Sequence, residues 1–184
     1  MLLKDYIPNI NKKFGNIFFS GISFNSSKLK KNNIFFAIKG NKIDGNNFIS
    51  IAIKKGSRII VTEKKIKKFQ NGILFIQTKN VRKLLAEVSF NICKKIPKNL
   101  IAVTGTNGKS SIADFFFQIL NLNSKRVASI GTIGIRLKDK KHALTNTTLN
   151  PIQLSKIHKE IKKKKIEYVI MEASSHGLQQ NRLD

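Results

Sequence analysis

The sequence predicts an α/β protein built of two units, and three observations predict it. Short β-rich runs alternate with Gly and Asn turns between residues 15 and 77. A Gly-rich turn ending in Gly108-Lys109-Ser110 separates an apolar strand run from a helical segment. From that turn onward the pattern runs strand, helix, strand, helix, strand, which is the order of a parallel sheet. The expected organisation is a small α/β domain over residues 1–96, followed over 97–184 by an incomplete P-loop parallel-sheet domain.

In the first unit the strand candidates are Asn16-Ile-Phe-Phe-Ser20, Asn33-Ile-Phe-Phe-Ala-Ile38, Arg58-Ile-Ile-Val-Thr62 and Ile73-Leu-Phe-Ile-Gln77, with a short helix near Phe48 to Lys55. From Val81 to Ile96 the apolar residues Leu84, Leu85, Val88, Ile92 and Cys93 recur at helical spacing, and Pro97 ends the run. In the second unit Leu100 to Val103 reads as a buried strand, Thr104 to Gly108 as the turn, Lys109 to Leu122 as a helix and Val127 to Ile130 as the next strand. Asn150 and Pro151 suit the cap and first position of a helix over Ile152 to Lys165, whose face is Leu154, Ile157 and Ile161. Tyr168 to Met171 is the third strand.

Composition narrows the function classes. Hydrophobic residues make up 41% of the 184 residues and are interrupted throughout by charge, so no run approaches the roughly 20 apolar residues of a bilayer span. The opening Met1-Leu-Leu-Lys-Asp-Tyr6 does not resemble a secretory signal, and the cytoplasm is the expected compartment. The lone Cys93 reads as a small buried hydrophobe. A formal charge of +25 draws attention to nucleic acid. Only five of the 35 basic residues are Arg, however, and the Lys residues are spread along the chain among abundant Asn and Ile, as an A/T-rich coding sequence produces. Charge is therefore a weak guide, and nucleic acid is not the expected partner.

The motif with the most chemistry is Val103-Thr-Gly-Thr-Asn-Gly-Lys-Ser-Ser111. Glycine at 105 and 108 permits backbone conformations and a close approach that side chains would block, and the helix N-terminus behind them favours an anion. Lys109 is placed to reach terminal phosphates, and the Ser110 hydroxyl to ligate Mg²⁺. The general P-loop carries Gly where this chain has Val103.

Gly105-Thr-Asn-Gly-Lys-Ser-Ser111 resembles the ATP loop of the Mur ligases and of their folylpolyglutamate synthetase relatives. Met171-Glu-Ala-Ser-Ser-His-Gly-Leu-Gln-Gln-Asn-Arg182 and Asn146-Thr-Thr148 are similar to segments of the Mur ligases that add the third residue of the muramyl peptide. Gly21-Ile-Ser-Phe-Asn-Ser26, Phe35-Phe-Ala-Ile-Lys-Gly40 and Asp44-Gly-Asn-Asn-Phe48 resemble the uridine-binding domain of that family. The similarity spans nearly the whole chain, with the motifs in family order.

The resemblance implies that Gly105, Thr106, Asn107, Gly108, Lys109, Ser110 and Ser111 hold ATP, with Lys109 and Glu172 catalytic and with Ser110 and Glu172 around Mg²⁺. A carboxylate at the carboxyl end of a parallel strand beside a phosphate loop makes sense for a cation that keeps few protein oxygens. It further implies that Phe24, Ser26, Asn41, Lys42 and Ile43 touch the UDP-sugar, although Asn41-Lys-Ile43 departs from the His-Gln-Ala of some relatives, which puts its side-chain contacts in question. Asn146, Thr147, Thr148, Ser174, Gln180 and Arg182 would meet the muramyl peptide. His176 reads as a structural hydrogen-bonder in a turn, and His142 and His158 as exposed bystanders.

The implied reaction is ATP-dependent amide formation through an acyl phosphate, joining diaminopimelate, lysine or another amino acid to UDP-N-acetylmuramoyl dipeptide. No obligate protein partner is implied. The rest of the ATPase sheet, a carbamylated lysine and a histidine at the metal site, and an amino-acid-binding domain have no counterpart in the 184 residues, which are expected to show no ligase turnover alone. The alternatives are the dipeptide-adding Mur ligase, against which the Ser174-Ser-His-Gly-Leu178 segment argues, and a non-catalytic nucleotide- or nucleic-acid-binding fragment.

Overall fold

The computed structural model describes residues 1–41, 43–93, 97–132, 134–137, 140–142 and 149–181, the stretch 140–142 by its backbone. The chain divides into two compact units, Met1–Asn91 and Ile92–Asp184.

The first unit is a five-stranded sheet in the order β1-β2-β3-β5-β4. Its strands are β1 (Gly21–Ser23), β2 (Asn33–Phe36), β3 (Ile59–Thr62), β4 (Phe69–Gln70) and β5 (Ile73–Gln77), and α1 (Lys12–Gly15) precedes them. The first four in spatial order run parallel, and β4 pairs antiparallel with β5. β2 and β3 are buried along their whole length, as central parallel strands covered on both faces are. The helix α2 (Ile49–Lys54) supplies Ala52 to a core of Leu29, Phe35, Ala37, Ile60, Ile73 and Phe75. The helix α3 (Val81–Cys93) buries Val81, Leu84, Leu85 and Val88.

Two expectations change here. The strand expected over Asn16 to Ser20 is replaced by the three-residue β1 just downstream, and Phe18 forms an isolated bridge with Leu2. The reason is that Ser20 and the residues after it pair with the segment leading into β2, since Ser20 N–H donates to Asn32 O at 2.9 Å. The added strand β4 turns into β5 through Asn71 (φ 49°) and Gly72 (φ 75°), both positive as a two-residue type I′ hairpin requires.

The second unit holds β6 (Asn99–Val103), α4 (Lys109–Leu122), β7 (Val127–Gly131), β8 (Gly134–Leu137), β9 (Lys140–His142), α5 (Pro151–Lys163), β10 (Tyr168–Glu172) and α6 (Ser175–Gln179). Its sheet order is β6-β10-β7-β8-β9. The expected parallel strands are present, with β10 inserted between β6 and β7 in the register Glu172↔Val103 and Met171↔Ile130. β6, expected to be buried, is instead half-exposed to exposed along its length, with Leu100 41% exposed, because it stands at the end of the described strand order with β10 on one side. The antiparallel extension through β8 and β9 had no separate strand signal in the sequence reading. At α5 the Asn150 side chain accepts from Gln153 N–H at 3.0 Å while Gln153 caps back, with Pro151 in the first turn.

Two side chains expected elsewhere also change place. His158 is 2% exposed rather than on the surface, because it falls on the face of α5 shared with Leu154 and Ile161. Cys93 is half-buried, and its thiol donates to Ser155 O at 2.8 Å. Among the described residues, no helix is long and apolar enough to cross a membrane.

Candidate nucleotide site

Strand β6 ends at Val103, and the chain crosses to α4 through an exposed turn. Gly105 has φ +145° and Gly108 φ +78°, while a Cβ on Gly108 would meet nothing within 4 Å. Glycine is needed there for the left-handed backbone rather than for space. As the N-cap of α4, Gly108 makes no side-chain cap hydrogen bond. The amino end of a 14-residue helix is thereby left uncapped by its own cap residue, an arrangement suited to phosphate oxygens. Lys109 folds over the turn, with Nζ donating to Gly105 O at 2.6 Å and Thr106 O at 3.1 Å. Its charge is already held above the loop. Thr106 and Asn107 are exposed in the turn, and Ser111 is exposed in the first turn of α4.

Glu172 closes β10 and is 4% exposed. The Ser110 hydroxyl donates to its Oε2 at 2.9 Å. Thr132, just past β7, donates to the same carboxylate twice, from N–H to Oε1 at 3.0 Å and from Oγ1 to Oε2 at 2.8 Å. Between them lies Gly131, where a Cβ would stand 2.1 Å from Glu172 Oε1. Next to this cluster Arg136 of β8 pairs with Asp114 of α4 and lies 4.2 Å from the centroid of the Phe117 ring. The pair clasps α4 to the antiparallel part of the sheet.

The other expected binding residues fall into two groups. In the first unit Phe24 and Ser26 follow β1 while Asn41 and Ile43 follow β2, so adjacent parallel strands bring both loops to one sheet edge. Phe24 is 36% and Ile43 62% exposed, and Ser26 O accepts from Lys55 Nζ at 2.8 Å. In the next turn Asp44 accepts from Asn46 N–H at 2.8 Å, which holds its carboxyl below the usual carboxylate range. In the second unit Ser174 follows β10 and caps α6, its hydroxyl accepting from Gly177 N–H at 3.0 Å. His176 therefore lies in a short helix rather than a turn, and it meets Gln180 Nε2 at 2.6 Å. Lys42, Asn146, Thr147, Thr148 and Arg182 lie outside the described residues.

The Mur ligase middle domain matches residues 103–184, and the pattern described as Mur ligase family, catalytic domain matches residues 19–91. The relative from Rickettsia prowazekii named UDP-N-acetylmuramoyl-L-alanyl-D-glutamate–2,6-diaminopimelate ligase is 38% identical over 179 residues, 95% of this chain. The chain belongs to the Mur ligase family. A Fusobacterium nucleatum relative of the same name is 36% identical across 100% of the chain. A solved Mur ligase of that name superposes with a TM-score of 0.83 at 25% identity, covering 100% of this chain and 38% of its own. A Thermotoga maritima MurF ligase solved with ADP reaches a TM-score of 0.53 at 19% identity over 84% of this chain and 32% of its own, and shows the shared fold. The chain spans 37% of the Rickettsia prowazekii relative's length and 36% of the Fusobacterium nucleatum one.

The donor set of this Mur ligase chain suits Mg²⁺ chemically. Ser110 Oγ and the Glu172 carboxylate are hard oxygens 2.9 Å apart at the mouth of a phosphate-type loop. Among the described residues no group of three His, Cys, Asp or Glu could hold a metal ion. Sequence reasoning missed Thr132, Gly131 and Arg136. The signal available was small: Gly131 at a strand end, followed by a hydroxyl residue.

Proposed function

We propose that the chain carries the ATP- and UDP-sugar-binding part of a cytoplasmic ligase that adds the third amino acid to UDP-N-acetylmuramoyl-L-alanyl-D-glutamate. The observation carrying this reading is the Ser110 hydroxyl bonded to Glu172 at 2.9 Å beside the Lys109 loop. The names of the relatives favour diaminopimelate over lysine as the amino acid.

On this reading Gly105 to Ser111 cradle the ATP phosphates, and Lys109 leaves its loop carbonyls to meet the terminal ones. Mg²⁺ held by Ser110 and Glu172 would neutralise phosphate charge. A carboxylate oxygen of the muramyl dipeptide bonds to the γ-phosphorus while the bond to the ADP oxygen breaks, giving an acyl phosphate. The amino group of the third residue then attacks the acyl carbon, phosphate leaves with the C–O electron pair, and the amine proton passes to a base or solvent. The chain's part is alignment and charge stabilisation, with no covalent protein nucleophile. Phe24, Ser26, Asn41, Lys42 and Ile43 are assigned to the UDP-sugar. Asn146, Thr147, Thr148, Ser174, Gln180 and Arg182 are assigned to the peptide end.

Calorimetric titration of the chain with ATP in Mg²⁺ or EDTA, then with UDP-muramyl dipeptide or tripeptide, tests the reading. Mg²⁺-dependent ATP binding and a preference for the dipeptide are expected. Tighter binding of the tripeptide would transfer the chain to the dipeptide-adding class. Tighter binding of duplex DNA at physiological salt would overturn the ligase reading.

A further inference from the structure

We propose that Thr132 is a positioning residue that clamps the Glu172 carboxylate in the orientation presented to the Mg²⁺ of a bound nucleotide. The inference rests on the ATP and Mg²⁺ reading above.

The geometry comes from three elements. Pairing of Met171 with Ile130 sets β7 and β10 side by side, so Gly131 and Thr132 follow on one strand where Glu172 ends the other. Thr132 N–H then reaches Oε1 at 3.0 Å and its hydroxyl reaches Oε2 at 2.8 Å. From α4 the Ser110 hydroxyl reaches the same Oε2 at 2.9 Å. Gly131 makes the approach possible, since any side chain there would begin 2.1 Å from Oε1. A carboxylate that is 4% exposed is thus oriented by three donors, two of them from one residue. A free glutamate side chain spends rotational freedom when it is ordered on a ligand, and groups that orient a ligating carboxylate beforehand reduce that cost. Ser110 donates its proton to Glu172, which leaves its oxygen lone pairs available to a cation.

The test is equilibrium binding of ADP to the chain as a function of Mg²⁺ concentration, with binding in EDTA and the melting temperature measured alongside. Thr132→Val should need about tenfold more Mg²⁺ for half-maximal enhancement, the usual scale for losing such a support. Its affinity in EDTA should stay at the wild-type value, and its melting temperature should fall only by the few degrees that loss of one hydrogen bond to a buried carboxylate costs. Thr132→Ser should restore the wild-type Mg²⁺ requirement, and Gly131→Ala should raise it as Thr132→Val does. A Thr132→Val chain with the wild-type Mg²⁺ requirement overturns the clamp while leaving the nucleotide reading standing. A wild-type chain whose ADP affinity ignores Mg²⁺ overturns both.

Discussion

On the proposed reading Lys109 is locally satisfied and still poised for a ligand. Its ammonium is bonded to the carbonyls of Gly105 and Thr106, four and three residues earlier. Those bonds are exposed to water and contribute little to stability, whereas a bound triphosphate offers full charges at the same place. Lys109→Ala should therefore weaken ATP binding at least tenfold, about 1.4 kcal/mol, with little change in melting temperature, as calorimetry and thermal denaturation would show. His158 makes the opposite case, a residue whose burial has a pH signature. Desolvation holds its pKa below the ordinary 6.5. Above that value the ring is neutral in both folded and unfolded chains. Below it the unfolded chain takes up a proton that the folded ring resists, so stability falls as pH drops through about 6.5 toward the folded value. The carboxyls of Glu167, held low by its hydrogen bond from Arg126, and Asp44 lose their contributions only at more acid pH. The urea midpoint should thus fall between about pH 7.5 and pH 5.5, and His158→Leu should remove that component.

Among the elements, α5 was legible almost to the residue. Asn150, Pro151, Leu154 and Ile161 appear where local chemistry places them, while Ile157 is only half-buried and His158 takes a buried position on that face. Replacing Asn150 with Ala breaks the capping box and should cost about 1 kcal/mol, measurable by chemical denaturation. The strand to turn to helix order from Asn99 to Leu122 was readable, because the glycines at 105 and 108 declare their backbone conformations locally, but the exposure of β6 was not, since an apolar run does not say whether its strand lies inside the sheet or at its edge. β1 was misplaced because its apolar residues resemble those just upstream, and the choice between them lies in pairing with β2. β4 has a local signature in the Asn71-Gly72 pair of a type I′ turn.

At the scale of the molecule, α4 departs from the usual amphipathic helix. Ala113 and Phe117 are buried, yet Ile112, Phe115, Ile119 and Leu122 are 54%, 62%, 59% and 82% exposed. Their spacing of three, four and three residues puts them along one face. An apolar stripe open to water favours self-association at high concentration. Phe115→Ser combined with Leu122→Ser should reduce concentration-dependent sedimentation while changing unfolding free energy by no more than about 0.5 kcal/mol per site.

Composition, periodicity and the turn residues were enough to establish an α/β chain with a phosphate-type loop and helices at α3, α4 and α5, since each depends on neighbours within a few residues. The place of β10 between β6 and β7 and the clamp of Thr132 on Glu172 depend on partners far along the chain. Thr132 and Glu172 are 40 positions apart. No local propensity encodes such a contact. It exists because strand register brings a glycine and a hydroxyl up to a buried carboxylate, and the register is chosen by packing of the whole sheet.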